Sequence, residues 1–192
     1  MTYRLPAAVR PAPGVPSDFC EGYRLDAYRD RSSDLHIPAL AAAVSRERLF
    51  DVFLALLEPL GEVVDVVLET SHATTGDRHR DLRRTHVDRP VLASYLCEFE
   101  DLLLDDGCTG VAAIATERPM EVQFDEHKML VCYAHDLKPF RRVMKAAGVP
   151  RRQNLRLVSE GPHLHHSQPG DAAKFRELAM RLGAGAVEEV NI

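Results

Sequence analysis

Apolar residues recur with a helical period over four stretches of this chain and crowd into short runs between them. Leu49, Val52, Phe53, Leu56, Leu57 and Leu60 share one helical face, with Ser45 placed as N-cap and Gly61 as stop. Leu92, Tyr95, Leu96, Phe99, Leu102 and Leu103 repeat the pattern, entered through Pro90 and ended before Gly107. Leu137, Phe140, Val143, Met144 and Ala147 define a third helix, capped by Asp136 and closed by Gly148. Phe175, Leu178, Ala179 and Leu182 mark a fourth.

Between the helices lie strand-like runs. Residues 63–68 are apolar and valine-rich, as in a buried strand, with Asp65 the exception. Residues 111–115 read as a strand, and residues 121–124 and 128–133 as two arms around the turn Asp125-Glu126-His127. Residues 154–159 alternate like an edge strand. Setting aside the first and last helices leaves β-α-β-β-α-β, the element order of the ferredoxin-like split βαβ sandwich. The predicted class is therefore α+β, a ferredoxin-like sandwich with an extra helix before and after. Its sheet order, 4-1-3-2, makes the runs at 63–68 and 128–133 central. Both are apolar on two faces, so the second face needs cover from the added helices, the N-terminal segment or a second subunit. The alternative is a five-stranded mixed sheet with helices on both faces, in which residues 121–124 form a strand of their own.

Residues 1–38 carry Pro6, Pro11, Pro13, Pro16 and Pro38 and are expected to form an extended arm, leaving residues 39–192 as one α/β domain. Residues 71–89 read as a hydrophilic loop. A chain of 192 residues, 45% of them hydrophobic, buries a core without help from disulfides or metals. The net charge of −5 gives no global field toward nucleic acid or an anionic membrane. Cys20, Cys97, Cys108 and Cys132 lack any CxxC or framework spacing and read as reduced thiols. With no apolar run of spanning length and no secretory leader pattern, the expected location is the cytoplasm, with no membrane and no nucleic acid as partner.

Candidate chemistry rests on nine histidines. Glu160, His163, His165 and His166 are the densest group, and the HxH pair would share one side of an extended segment. Such a pair chelates a divalent ion such as zinc, with Glu160 as an oxygen ligand and His135 approaching from the end of the neighbouring strand. Glu69, His72, Asp77, His79 and Asp81, with Asp125, Glu126 and His127, form a second group that the split βαβ order puts at the opposite end of the sheet. The plain alternative for both groups is surface histidines solvated in polar loops. Arg78, Arg80, Arg83, Arg84 and Arg89 alternate with acids, whereas Arg141, Arg142, Lys145, Arg151 and Arg152 make a basic patch around the third helix. No phosphate-binding loop, dinucleotide fingerprint, nucleophile elbow or HExxH motif occurs. Cys132, near His135, lies in an apolar strand where burial blunts a thiol. The expectation is a soluble, non-catalytic binding or regulatory module that self-associates as a homo-oligomer, with a His-lined small-molecule or metal site. The alternative is a metal-dependent hydrolase or isomerase built on His163, His165 and His166.

Overall fold

The structure, a computed structural model, describes residues 3–16, 18–30, 35–72 and 79–186. In chain order the elements are β1 (Val9–Pro11), β2 (Gly22–Asp30), β3 (Leu35–Ala43), α1 (Arg46–Leu57), β4 (Val63–Thr70), β5 (Arg80–Asp88), α2 (Arg89–Glu98) and α3 (Glu100–Asp105). They continue as β6 (Thr109–Ala115), β7 (Met120–Phe124), β8 (Leu130–Ala134), α4 (Lys138–Ala146), β9 (His163–His165), α5 (Asp171–Leu182) and the two-residue β10 (Gly185–Ala186). One antiparallel sheet runs in the order β10-β5-β4-β6-β7-β8-β3-β2, and β1 pairs with β9 in a separate ribbon.

Alternation along the strands explains the layers. In β4 the even positions Val64, Val66 and Leu68 are fully buried and the odd positions half-buried. The even side joins Val111, Ala113, Val122, Phe124, Leu130 and Cys132 from neighbouring strands in a core with the inward faces of all five helices. Phe53 of α1 meets Phe124 of β7 edge to face at 5.2 Å. The helices thus cover one face. On the other, Ala41, Ala43 and Met129 are capped by Leu155 and Leu157 with Tyr3 and Cys20, while Val67, Glu69, Ile114, Glu121 and Gln123 stay half-exposed.

The predicted helices are present, with two changes. The second is divided at Phe99 into α2 and α3, and the hydroxyl of Ser45, at the α1 cap position, accepts the Arg4 amide instead of an α1 amide. Gly148 and Gly183 take positive φ after α4 and α5, where an L side chain would be strained.

The strand topology differs from the split βαβ order. The hydrophilic stretch after β4 contains β5, which turns the chain back along β4 before α2 begins. The helical crossover therefore joins β5 to β6, and β4 lies antiparallel between them. Residues 120–124 are a strand of their own, as in the alternative, but the sheet is antiparallel with its helices on one face. Residues 154–159 form no strand, running as an irregular segment into a 3-10 turn at Val158–Glu160. Within the expected arm, residues 22–30 and 35–38 belong to the β2–β3 hairpin, which closes one side of the sheet. Pro38 lies one residue outside the β3–β8 ladder, so no bond there needs its missing N–H. Asp65 also finds its reason. Register slips between Val64 and Val66 in a β-bulge where His86 has φ 56°, and Asp65 accepts the His86 amide at 2.9 Å and Arg83 at 2.7 Å.

Candidate metal centre

The turn between β7 and β8 is fixed by its first residue. The Asp125 carboxylate accepts the Met129 amide at 2.8 Å, and the Asp125 carbonyl accepts that of Lys128 at 3.0 Å, an aspartate-anchored turn that presents His127. The other Asp125 oxygen lies 3.1 Å from His127 Nδ1. That hydrogen bond, acting against burial, raises the His127 pKa above its ordinary value.

The second contributor is β9. Its pairing with β1 sets Val9 opposite His165 and Pro11 opposite His163, so strand alternation points the two histidines one way and the exposed Leu164 the other. Nδ1 of His163 lies 2.7 Å from the Gly161 carbonyl, and Nδ1 of His165 lies 2.5 Å from that of Gly107. A carbonyl only accepts, so Nδ1 carries the hydrogen in both rings and the Nε2 lone pair is left free in the neutral form.

These three rings meet. Their centroids are 4.8, 4.9 and 5.0 Å apart, and one nitrogen of each lies within 4.8 Å of one on each other ring. A tetrahedral zinc ion with bonds of about 2.0–2.1 Å holds its ligands on the order of 3.3 Å apart, so small inward rotations close the triangle. Each ring already has its outer partner, a carbonyl or carboxylate, as ligating histidines do. Three nitrogen ligands leave a fourth position open, the pattern of catalytic zinc sites.

Of the residues read from sequence, His163 and His165 belong to this cluster; His166, Glu160 and His135 do not. His166 is exposed and serves through its backbone, its amide donating to Ala8 and its carbonyl accepting from Gly107, both at 2.7 Å. Glu160 is engaged by Arg24 at 2.6 Å and by the Leu157 amide at 2.9 Å. His135 is exposed beyond the far end of β8, about a strand length, roughly 17 Å, from the turn that carries His127. His127 and Glu69 lie at one end of the sheet, where Glu69 pairs with Gly110 and Val111 with Phe124. His163 and His165, expected at the opposite end, are found at this one because residues 154–159 form no strand and β9 pairs with β1; the sequence signal for His127 is the aspartate two residues before it.

Beside the cluster runs the loop 106–109. Asp106, fully buried, accepts His72 Nε2 at 2.8 Å, the Cys108 amide at 3.1 Å and the Thr109 hydroxyl. His72, Asp106 and Cys108 also have ligand-type atoms within 4.8 Å of one another, but the Asp106 oxygens already hold the loop together. Lys128, wholly buried, donates to the Thr109 carbonyl at 2.8 Å; burial pushes its pKa down to about 8, with Asp125, Asp106 and Glu126 opposing. Glu69 lies across Gly110, its Oε2 3.2 Å from where a Cβ would stand. Burial, then Asp81 and Asp125, raise its pKa. Asp77 and Arg78 lie outside the described residues.

Comparison with protein-family models, curated proteins and solved structures finds no match to this chain. Among the described residues, no helix is long and apolar enough to cross a membrane.

Proposed function

We propose that this chain binds one divalent ion of the zinc class through His127, His163 and His165 and uses it in hydrolytic chemistry. The carrying observation is the convergence of three imidazoles, each with Nδ1 directed at an oxygen acceptor and one nitrogen within 4.8 Å of a nitrogen on each other ring. A bound ion would supply Lewis acidity at the fourth position. Glu69, a carboxyl with raised pKa on the half-exposed sheet face, lies on the side of Asp125, the residue that orients His127. It is assigned as the general acid or base. A small-molecule substrate would lie on that face, against Gln123 and Glu121. The four free cysteines favour a reducing compartment, the cytoplasm.

The test is elemental analysis of protein purified without an affinity tag or chelator, then of protein reloaded with zinc or cobalt. About one equivalent is expected, lost in His127→Ala and in His163→Ala and retained in His135→Ala and His166→Ala. No stoichiometric uptake by the folded parent would discard the reading.

The second reading is the self-associating, non-catalytic module, favoured by the outer edge of β2. Only Tyr23 is bridged there, to Arg151, so the rest of this nine-residue strand is open to a second copy among the described residues. Sedimentation equilibrium decides it, a monomer at all concentrations arguing against it.

A further inference from the structure

A concentration of like charge lies on α4, outside the His127–His163–His165 cluster. Lys138, Arg141, Arg142 and Lys145 follow one another at i, i+3, i+4 and i+7 on α4, a spacing that stacks all four on one helical face, and α4 contains no acidic residue. Like charges at these spacings repel, and Lys138 also stands in the first turn, where the helix dipole disfavours a cation. The chain as a whole is acidic at −5, so the cluster does not follow from bulk composition.

The face forms one wall of an open groove of about 600 Å³, a volume in the range of small-molecule sites. The segment after Gly148 supplies the other wall. The Tyr23 amide donates to the Pro150 carbonyl at 2.9 Å, the Arg152 amide donates back to Tyr23 at 2.8 Å, and this bridge to the edge of β2 sets Arg151 facing the helix. Five cations therefore line one concavity with no carboxylate among its lining residues. Arg24, Arg46, Arg83, Arg89 and Arg181 each have an acidic partner, whereas Lys138, Arg141, Arg142, Lys145 and Arg151 have none among the described residues.

We propose that this groove binds a compact oligophosphate, either free or as the phosphate tail of a small molecule. From Lys138 to Lys145 the helix rises on the order of 10 Å, a span that a tri- or tetraphosphate fills. A nucleic acid is the poorer fit, because Tyr23, the aromatic residue of the lining, is 7% exposed and offers no face for base stacking. The site is independent of the histidine cluster, and loss of either reading leaves the other standing.

The test is calorimetric titration of the full chain with sodium tripolyphosphate at low and at physiological ionic strength. One site per chain is expected, weakening with salt. About tenfold or more of the affinity should be lost in the exposed double variant Arg142→Ala/Lys145→Ala, with the equally exposed pair Arg80→Ala/Arg84→Ala matching the parent. Circular dichroism checks that both variants fold. Absence of saturable binding at low salt, equal loss in the control pair, or tighter binding of a single-stranded oligonucleotide carrying several proteins per strand would each overturn the proposal.

Discussion

The carbonyl of Gly107 accepts Nδ1–H of His165 at 2.5 Å, while the amide of the same glycine donates to the His166 carbonyl at 2.7 Å. One residue thus aims a candidate ligand and pins the strand that carries it. A Cβ at this position would stand 2.5 Å from the Ala8 carbonyl oxygen and 2.9 Å from that of His166, both backbone atoms with little room to move. Gly107→Ala is expected to cost about 2 kcal/mol or more in denaturant unfolding. It should also weaken zinc affinity by about tenfold to a hundredfold in a competitive chelator titration. Unchanged affinity would mean that Gly107 does not orient His165.

Glu69 gives a pH signature. Burial, Asp81 and Asp125 raise its folded-state pKa, with His79 opposing. Its contribution to stability is therefore fully present below the unfolded value, about 4.3, and is lost as pH rises through the higher folded one. Glu69→Gln should remove that loss, leaving the variant the more stable form at neutral pH and flattening the parent's decline above pH 4.3. Thermal melts across the acid range read both effects, and a variant less stable at pH 7 would contradict the assignment.

Glu160 titrates in the opposite sense. Its hydrogen bond from Arg24, reinforced by the Leu157 amide against a smaller burial effect, holds its carboxyl below the ordinary range. The stabilisation is present above about pH 4.3 and lost as pH falls through the folded value. With 44% of the Glu160 side chain exposed, solvent screens the pair, and Glu160→Gln should cost less than about 1 kcal/mol at neutral pH. The same variant should keep its metal. Loss of the ion would restore Glu160 to the ligand set.

The cysteines separate by burial. Cys132 is fully buried on the helix-facing side of β8, which pushes its thiol pKa up, and Cys97 is exposed on α2. Alkylation of the native protein followed by mass spectrometry should modify Cys97 readily and Cys132 only after unfolding.

The helices were legible because each buries one stripe, and α1 and α5 need nothing beyond the spacing of their leucines and phenylalanines. The β2–β3 hairpin was not, since β3 reads Leu-His-Ile-Pro-Ala-Leu-Ala-Ala-Ala, with alanines in place of β-branched residues and a proline inside. Nor was β5, whose exposed position near the sheet margin lets Arg-Asp-Leu-Arg-Arg-Thr-His stand in a strand. Missing β5 reversed the expected sense of β6 relative to β4, and the separate strand β7 restored it, so β8 and the turn before it keep the ends that the split βαβ order gives them. The strand read at residues 154–159 is what separated His127 from His163 and His165 and drew His135 toward them, because it carried the chain to the opposite end of the sheet. The HxH alternation was visible because it is local; the third histidine depended on topology.

His127 and the His163–His165 pair are far apart in the chain, with β8, α4 and the irregular segment before β9 between them. An ion held by all three would close that stretch into a ring and act as a removable crosslink, shrinking the freedom of the unfolded chain as well as filling a site. Metal-loaded protein would then unfold as one unit. Chelator-treated protein would release residues 151–166 first, and limited proteolysis would map the difference to that span.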